Sequence, residues 1–214
     1  MKKRNIFIWD IHWCFDEFKL LIEKLSINKE DCIFLVWDMI NKWPKSWKVI
    51  KYLYNNKNQF SAVLWNHEIA FLQRINSEEK KYESKDFIEL ENKFIKHPEI
   101  FNYFKNLPLF IEKKDFIVIH WWLKPWKKLE EHSETEITTI REINNEPWYI
   151  HYTGSKKIIY GHWAMNWLNI YDNTIGLDWG CVYWRSLHSY TLETWDIMTQ
   201  QALKLYKDVF IKED

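Results

Sequence analysis

Five short apolar runs constrain this chain more than anything else in it, because each ends on a side chain able to bind a metal ion. Residues 6–8 lead through Trp9 into Asp10, with His12 two positions on. Residues 33–36 lead through Trp37 into Asp38, and residues 62–64 through Trp65 into Asn66-His67-Glu68. Residues 116–119 end at His120, and residues 158–160 end at Gly161-His162. Runs of this length, rich in Ile, Val and Phe, read as buried strands. Carboxylates, imidazoles and one amide at the carboxyl ends of such strands form a donor set suited to divalent transition ions and to the hydrolytic chemistry they support. One Asp-x-His pair is a weak signal; the ordered set of five is a strong one.

Between the runs the apolar spacing changes to that of a helix. Phe15, Phe18, Leu21, Ile22 and Leu25 mark a helix over 15–26, and Val49, Ile50 and Leu53 mark another over 46–55. With strands over 5–10, 32–37 and 60–65, the alternation predicts a sheet with helices packed against it. Residues 69–106 read as a polar helical insert in which 77–81 is a solvated charge run. There Phe87, Phe94, Phe101 and Phe104 form a core stripe rather than a nucleotide platform. Strands 109–112 and 116–120 form a hairpin, and Ser133-Glu134-Thr135-Glu136 has the chemistry of a helix start. Further strands are expected over 158–162, 168–171, 174–178 and 187–193, the last two in a second sheet, and residues 202–206 as a short strand or helix.

Charge and cysteine content exclude several classes. Lys and Arg total 30 and so do Asp and Glu, which leaves no basic footprint for nucleic acid. No run approaches a membrane span, and the basic start Met1-Lys2-Lys3-Arg4 is followed too closely by Asp10 and His12 for a signal peptide. Cys14, Cys32 and Cys181 make neither a metal spacing nor an even disulfide set, so they read as reduced thiols in a cytoplasmic protein and are given no catalytic role. At 214 residues the chain is expected to form one domain, 1–214, and to act as a monomer.

The order Asp-x-His, Asp, Asn-His-Glu, His, Gly-His resembles the calcineurin-like metallophosphoesterases, and within them the branch of phosphoprotein phosphatases and symmetrical diadenosine tetraphosphatases. That branch carries GDxHG, GDxxxRGPxS, GNHE, HGG and GHxA, and the likeness runs from about Ile6 to Leu192. The resemblance implies a four-layer α/β sandwich with two mixed sheets between helices. It implies two divalent ions, Mn²⁺ first, with Fe, Co, Zn or Ni as alternatives. Asp10, His12 and Asp38 would hold one ion; Asp38, Asn66, His120 and His162 would hold the other, with Asp38 bridging. His67 would protonate the leaving oxygen, and Lys42, Arg141 and Asn66 would bind phosphate. Glu68 would support its loop, and 69–106 would be a reduced substrate cap. Two features depart from the protein phosphatases: Asn41 stands where an Asp orients the catalytic His, and Lys42 where an Arg is usual. Gly161-His162-Trp163-Ala164 and Pro147-Trp148 favour the tetraphosphatases. The expected activity is hydrolysis of dinucleoside polyphosphates. The alternatives are a Ser/Thr protein phosphatase and, in another class, an inactive binding module.

A systematic departure bears on that last alternative. Where the family has Gly, this sequence has Trp at 9, 13, 37, 43, 65, 121, 122, 126 and 184. Glycine, typically about 7% of residues, occurs 4 times in 214, and tryptophan 15 times. Turns at strand ends need the backbone freedom of Gly. These Trp are therefore expected to be UGA codons that the native cell reads as Gly. Trp148 and Trp163 match tryptophans of the tetraphosphatases and are expected to be genuine; Trp47, Trp167, Trp179 and Trp195 stay open at this level.

Overall fold

A computed structural model describes residues 3–9, 11, 14–36, 46–77, 85–120, 123–124, 126–139, 142–143, 146–161, 169–177 and 180–206. Three parallel strands form the heart of the first sheet: β1 (Asn5–Trp9), β2 (Cys32–Val36) and β3 (Phe60–Ala62). Their register pairs Trp9 with Val36 and Leu35 with Ala62, so the three carboxyl ends lie along one edge. β1 and β2 are buried from their second residue onward, which is why they read as continuous apolar runs.

The helices lie where the spacing puts them. α1 (Phe15–Leu25) buries Phe18, Leu21 and Leu25 and stops at Ser26, whose left-handed backbone (φ 46) closes the helix. α2 (Ser46–Asn55) buries Val49, Ile50 and Leu53. The insert contains most of α3 (Asn66–Asn76), then α4 (Lys85–Lys96) and α5 (Pro98–Lys105), the last begun by a proline in its first turn. The phenylalanines of the insert are core, as their spacing implies. Phe94 lies 5.1 Å from both Phe101 and Phe104, and Phe71 5.3 Å from Phe87, ring centre to ring centre. Of the charge run at 77–81, residues 78–81 lie outside the described residues.

The second sheet starts with the expected hairpin, β4 (Phe110–Glu112) and β5 (Phe116–Ile119), paired antiparallel. α6 (Glu134–Thr139) begins as anticipated: Ser133 Oγ accepts from the Glu136 N–H at 3.1 Å, and the Glu136 carboxylate accepts from the Ser133 N–H at 2.9 Å. A two-strand ribbon, β6 (Glu142–Ile143) and β7 (Glu146–Pro147), precedes β8 (Lys157–Tyr160), β9 (Asn169–Ile170) and β10 (Thr174–Gly176). β5, β8 and β10 are parallel neighbours in the order β4-β5-β8-β10-β9.

Three expectations are corrected. The strand near 187–193, β11 (Ser186–Thr191), belongs to the first sheet, antiparallel to β1 with Ile6 opposite Thr191. Apolar patterning marks a strand as buried without saying which sheet buries it. β12 (Ile197–Gln201) pairs with β11 at the sheet edge and went unread because its faces scarcely alternate. Residues 202–206 form neither strand nor helix. Side chains anchor that segment instead: the Leu203 N–H donates to Glu17 at 2.8 Å, and the Tyr206 hydroxyl donates to the same carboxylate. β3 is also shorter than predicted, because the chain turns toward the second sheet, where the Leu64 N–H donates to Pro108 at 2.8 Å.

Both sheets are therefore mixed, and they pack face to face. Phe116 of β5 meets Phe7 and Phe34 edge-on at 5.0 and 5.1 Å. Edge-to-face rings at this separation add roughly 0.5–1.5 kcal/mol per pair beyond area burial. Outside the sandwich, α1 lies on β11 and β12, and α2 packs with α4 and α5. The result is the predicted α/β sandwich of two mixed sheets and helices.

One buried group gives this core a pH dependence. His188 in β11 is 6% exposed, its Nδ1 3.0 Å from the Thr199 hydroxyl. Burial pushes its imidazole down to about 4. As pH falls, the unfolded chain takes up this proton near the ordinary 6.5 and the folded chain only later. The contribution to stability is thus complete above about 6.5 and lost progressively toward 4, amounting to about 3 kcal/mol at most. Unfolding free energies from urea titrations should fall across that interval for the native chain and fall less for His188→Gln. Parallel curves for the two proteins would remove His188 from the account.

Candidate active site

Strand ends from both sheets meet at one place. On the first sheet, Trp9, Val36 and Ala62 end three parallel strands. Three residues past β3, the chain enters α3 at Asn66, with His67 next in its first turn and half-buried. Glu68 fixes that entry: its buried carboxylate accepts from the Trp65 N–H at 3.1 Å. This is the back-bond of a capping box, so Glu68 supports the loop in the way expected of it. On the second sheet, His120 directly follows β5 and is fully buried. Gly161, directly after β8, donates its N–H to the His120 carbonyl at 3.0 Å, which ties the two strand ends together.

The sheets touch across this edge. The Trp65 ring lies 3.6 Å from the His120 ring, centre to centre. The Trp9 indole covers Gly161 so closely that a Cβ there would overlap its ring nitrogen. Trp65 and His120 therefore meet at one junction, and Asn66 follows Trp65 in the chain. The remaining expected site residues, Asp10, His12, Asp38, Lys42, Arg141 and His162, lie outside the described residues, as do Asn41 and Trp163. Trp9, Val36 and Gly161, the described residues that precede Asp10, Asp38 and His162 in the chain, end strands at that same edge or directly follow one.

One observation tests whether this junction suits a cation. The side-chain oxygen of Asn66 is buried and has no hydrogen-bond partner among the described residues. A buried carbonyl without a donor is costly, on the order of 1–3 kcal/mol, and a hard cation satisfies it. An amide oxygen from Asn66 and an imidazole from His120 are donor types suited to Mn²⁺ or Zn²⁺. The residues present fit a metal.

A further cluster was invisible in the sequence. Cys14, Glu17 and Cys181, all buried, bring two sulfurs and a carboxylate oxygen within 4.8 Å of one another. Their spacing in the chain carries no motif, and only the approach of the 181–183 turn to the start of α1 unites them. A cavity of about 630 Å³ lies elsewhere, between β3, β4 and α5, and is lined by none of the expected site residues.

No protein-family profile matches the chain. The symmetrical bis(5'-nucleosyl)-tetraphosphatase of Buchnera aphidicola is 45% identical over 67 residues, which covers 31% of this chain and 24% of the length of that relative. The enzyme of the same name from Vibrio campbellii is 23% identical over 92% of this chain and 98% of its own length. Among solved structures, one assigned provisionally as a diadenosine tetraphosphatase superposes with a TM-score of 0.75 at 23% identity, covering 94% of each chain. A metallophosphoesterase from Sphaerobacter thermophilus gives 0.62 at 14% identity, covering 94% of this chain and 89% of that one. In sequence and in fold alike, the chain resembles the calcineurin-like metallophosphoesterases, and within them the symmetrical diadenosine tetraphosphatases.

Proposed function

We propose that this chain is a metal-dependent phosphohydrolase acting on dinucleoside polyphosphates. The observation that carries the proposal is the buried Asn66 oxygen, short of a donor among the described residues, at the strand-end edge where Trp65 packs on His120. The sequence relatives, named symmetrical bis(5'-nucleosyl)-tetraphosphatases, support this substrate class. Asp10, His12 and Asp38 would hold one divalent ion, and Asp38, Asn66, His120 and His162 a second. Bound there, such ions supply an acidified water and neutralise charge on phosphoryl oxygens. The chain's own groups do the rest. His67 follows Asn66 in the first turn of α3 and would give a proton to the departing oxygen. That turn carries the positive end of the helix dipole, which favours a phosphate nearby. Lys42 and Arg141 would bind outlying phosphate oxygens, Arg141 in bidentate fashion and Lys42 as a point charge.

The remaining parts of the reading follow from the same residues. One domain spans 1–214, and residues 69–106 act as a reduced cap. Among the described residues no helix is long and apolar enough to cross a membrane, and we assign the protein to the cytoplasm as a monomer. The test is a substrate panel with Mn²⁺, run on the protein from its own cells or on a chain with glycine at 9 and 65: diadenosine tetraphosphate, a nucleoside triphosphate, and phosphoserine and phosphothreonine peptides. The dinucleotide should give the highest kcat/KM. A clear preference for the peptides would overturn the substrate class and leave the metal chemistry standing. No hydrolysis of any of them would overturn the enzyme.

A further inference from the structure

We infer that positions 9, 65, 184 and 195 carry glycine in the protein as its own cell makes it, and that Trp47 and Trp148 are true tryptophans. Two independent kinds of geometry separate the groups.

The first is backbone conformation. Three non-glycine residues among those described have positive φ, and two of them are Trp184 (φ 63) and Trp195 (φ 64). A bulky aromatic residue in the left-handed region is an outlier, whereas Gly enters it freely. Each place is a turn that calls for such a residue. Trp184 ends the short turn over 181–183, which Gly180 opens at φ 65. Trp195 closes the β11–β12 hairpin, where its N–H donates to Thr191 at 2.8 Å and Thr191 in turn donates to Asp196 at 2.9 Å. Both indoles are largely exposed, at 60% and 67%. Trp195 does have the Lys157 ammonium 4.5 Å over its ring, but that surface contact does not require the backbone to take this form.

The second is crowding where the two sheets meet. Trp9 and Trp65 are fully buried at the edge where the strands end. Aromatic rings prefer centre separations of about 4.5–7 Å, yet Trp65 and His120 lie 3.6 Å apart with planes only 33° from parallel. Trp9 occupies the space a Cβ of Gly161 would need, and its buried ring N–H has no acceptor among the described residues. Buried indoles ordinarily find one. Without side chains at 9 and 65, the space over Gly161 and His120 opens to a cation and a phosphate.

The two tryptophans on the other side of the division look different. Trp148 is buried and meets Tyr160 and Tyr149 edge-on at 5.0 and 6.0 Å. Trp47 lies in the first turn of α2, edge-on to Phe94 at 5.8 Å and 5.1 Å from the His97 ring. Both have ordinary backbone and ordinary ring separations, and a glycine at 47 would weaken its helix. The division settles Trp47 and Trp195, which the sequence leaves open. Together with 4 glycines and 15 tryptophans in 214 residues, it points to UGA codons read as glycine.

The codons and the native protein give the direct test, independent of any activity. The gene should carry TGA at 9, 65, 184 and 195 and TGG at 47 and 148. Peptide mass spectra of the protein from its own cells should show glycine at the first four positions. TGG codons at those four, or tryptophan in those peptides, overturn the inference. Recombinant variants add a physical arm. Trp184→Gly and Trp195→Gly should each raise Tm by about 2–4 °C, and Trp148→Gly should lower it by roughly 10 °C; a fall for all three contradicts the division. Titration calorimetry should detect Mn²⁺ binding in the Trp9→Gly, Trp65→Gly protein and little in the chain as written. That last readout rests on the metal reading proposed above: TGA codons without Mn²⁺ binding would uphold the glycines and reject the metal.

Discussion

Asp38→Asn, in a chain with glycine at 9 and 65, should lower Mn²⁺-supported kcat/KM for diadenosine tetraphosphate by roughly 100-fold or more, the largest loss among the single ligand changes. The reason is its assigned place in both ligand sets. A carboxylate between two cations offsets their mutual repulsion as well as binding each, so its loss weakens both ions together. Asp10→Asn or His120→Ala touches one ion only. Metal content measured after dialysis should follow the same ranking, with Asp38→Asn nearest to none. Chelation should mimic the variant, and added Mn²⁺ should restore the native chain far better than Asp38→Asn. Full activity in excess EDTA after dialysis, or an Asp38→Asn protein with undiminished metal, would rule out the two-ion site.

Much of this architecture could be read from apolar periodicity. α2 runs from Ser46 to Asn55 as expected, and β1, β2 and β5 end within one residue of their expected ends. Those elements are buried on the faces their spacing implies, and local pattern and tertiary burial agree. The misreadings fall where they disagree. β11 is buried along almost its whole length, so alternation says nothing of its neighbours, and its place beside β1 is a tertiary fact. β12 is a half-exposed edge strand whose pairing comes from β11 rather than from its own composition. The anchor of 202–206 on Glu17 joins residues 186 and 189 positions apart, a separation at which no local rule operates.

The candidate site divides in the same way. Ligand types at strand ends are visible in the chain because a parallel strand delivers its next residue to the carboxyl edge, as β5 does with His120. What the pattern could not supply was the company they keep. That Trp65 presses on His120 and Trp9 on Gly161 follows only from the packing of one sheet on the other. The Cys14, Glu17 and Cys181 cluster is likewise a product of packing.

His67→Asn should separate the two substrate readings by the size of its effect. A general acid matters in proportion to how poorly the leaving group departs unaided. A serine alkoxide is a poor leaving group and needs its proton in the transition state; a nucleotide leaves as a stabilised phosphate and needs it less. General acid catalysis contributes typically 10²–10⁴-fold where it is required. His67→Asn should therefore lower kcat/KM by roughly 10²-fold or more on a phosphoserine peptide and by about 10-fold or less on diadenosine tetraphosphate. The sequence supplies an independent reason to expect the smaller dependence in the natural reaction. Asn41 stands where protein phosphatases have the Asp that orients this His and raises its basicity, and a neutral amide does that less well. Asn41→Asp should thus help the peptide reaction more than the dinucleotide reaction, and the helix position of His67, in the first turn of α3, is unaffected by either change. Equal losses on both substrates in His67→Asn would show that His67 positions the substrate instead of protonating the leaving oxygen. A larger loss on the dinucleotide would reverse the leaving-group argument and return the protein phosphatase reading to first place.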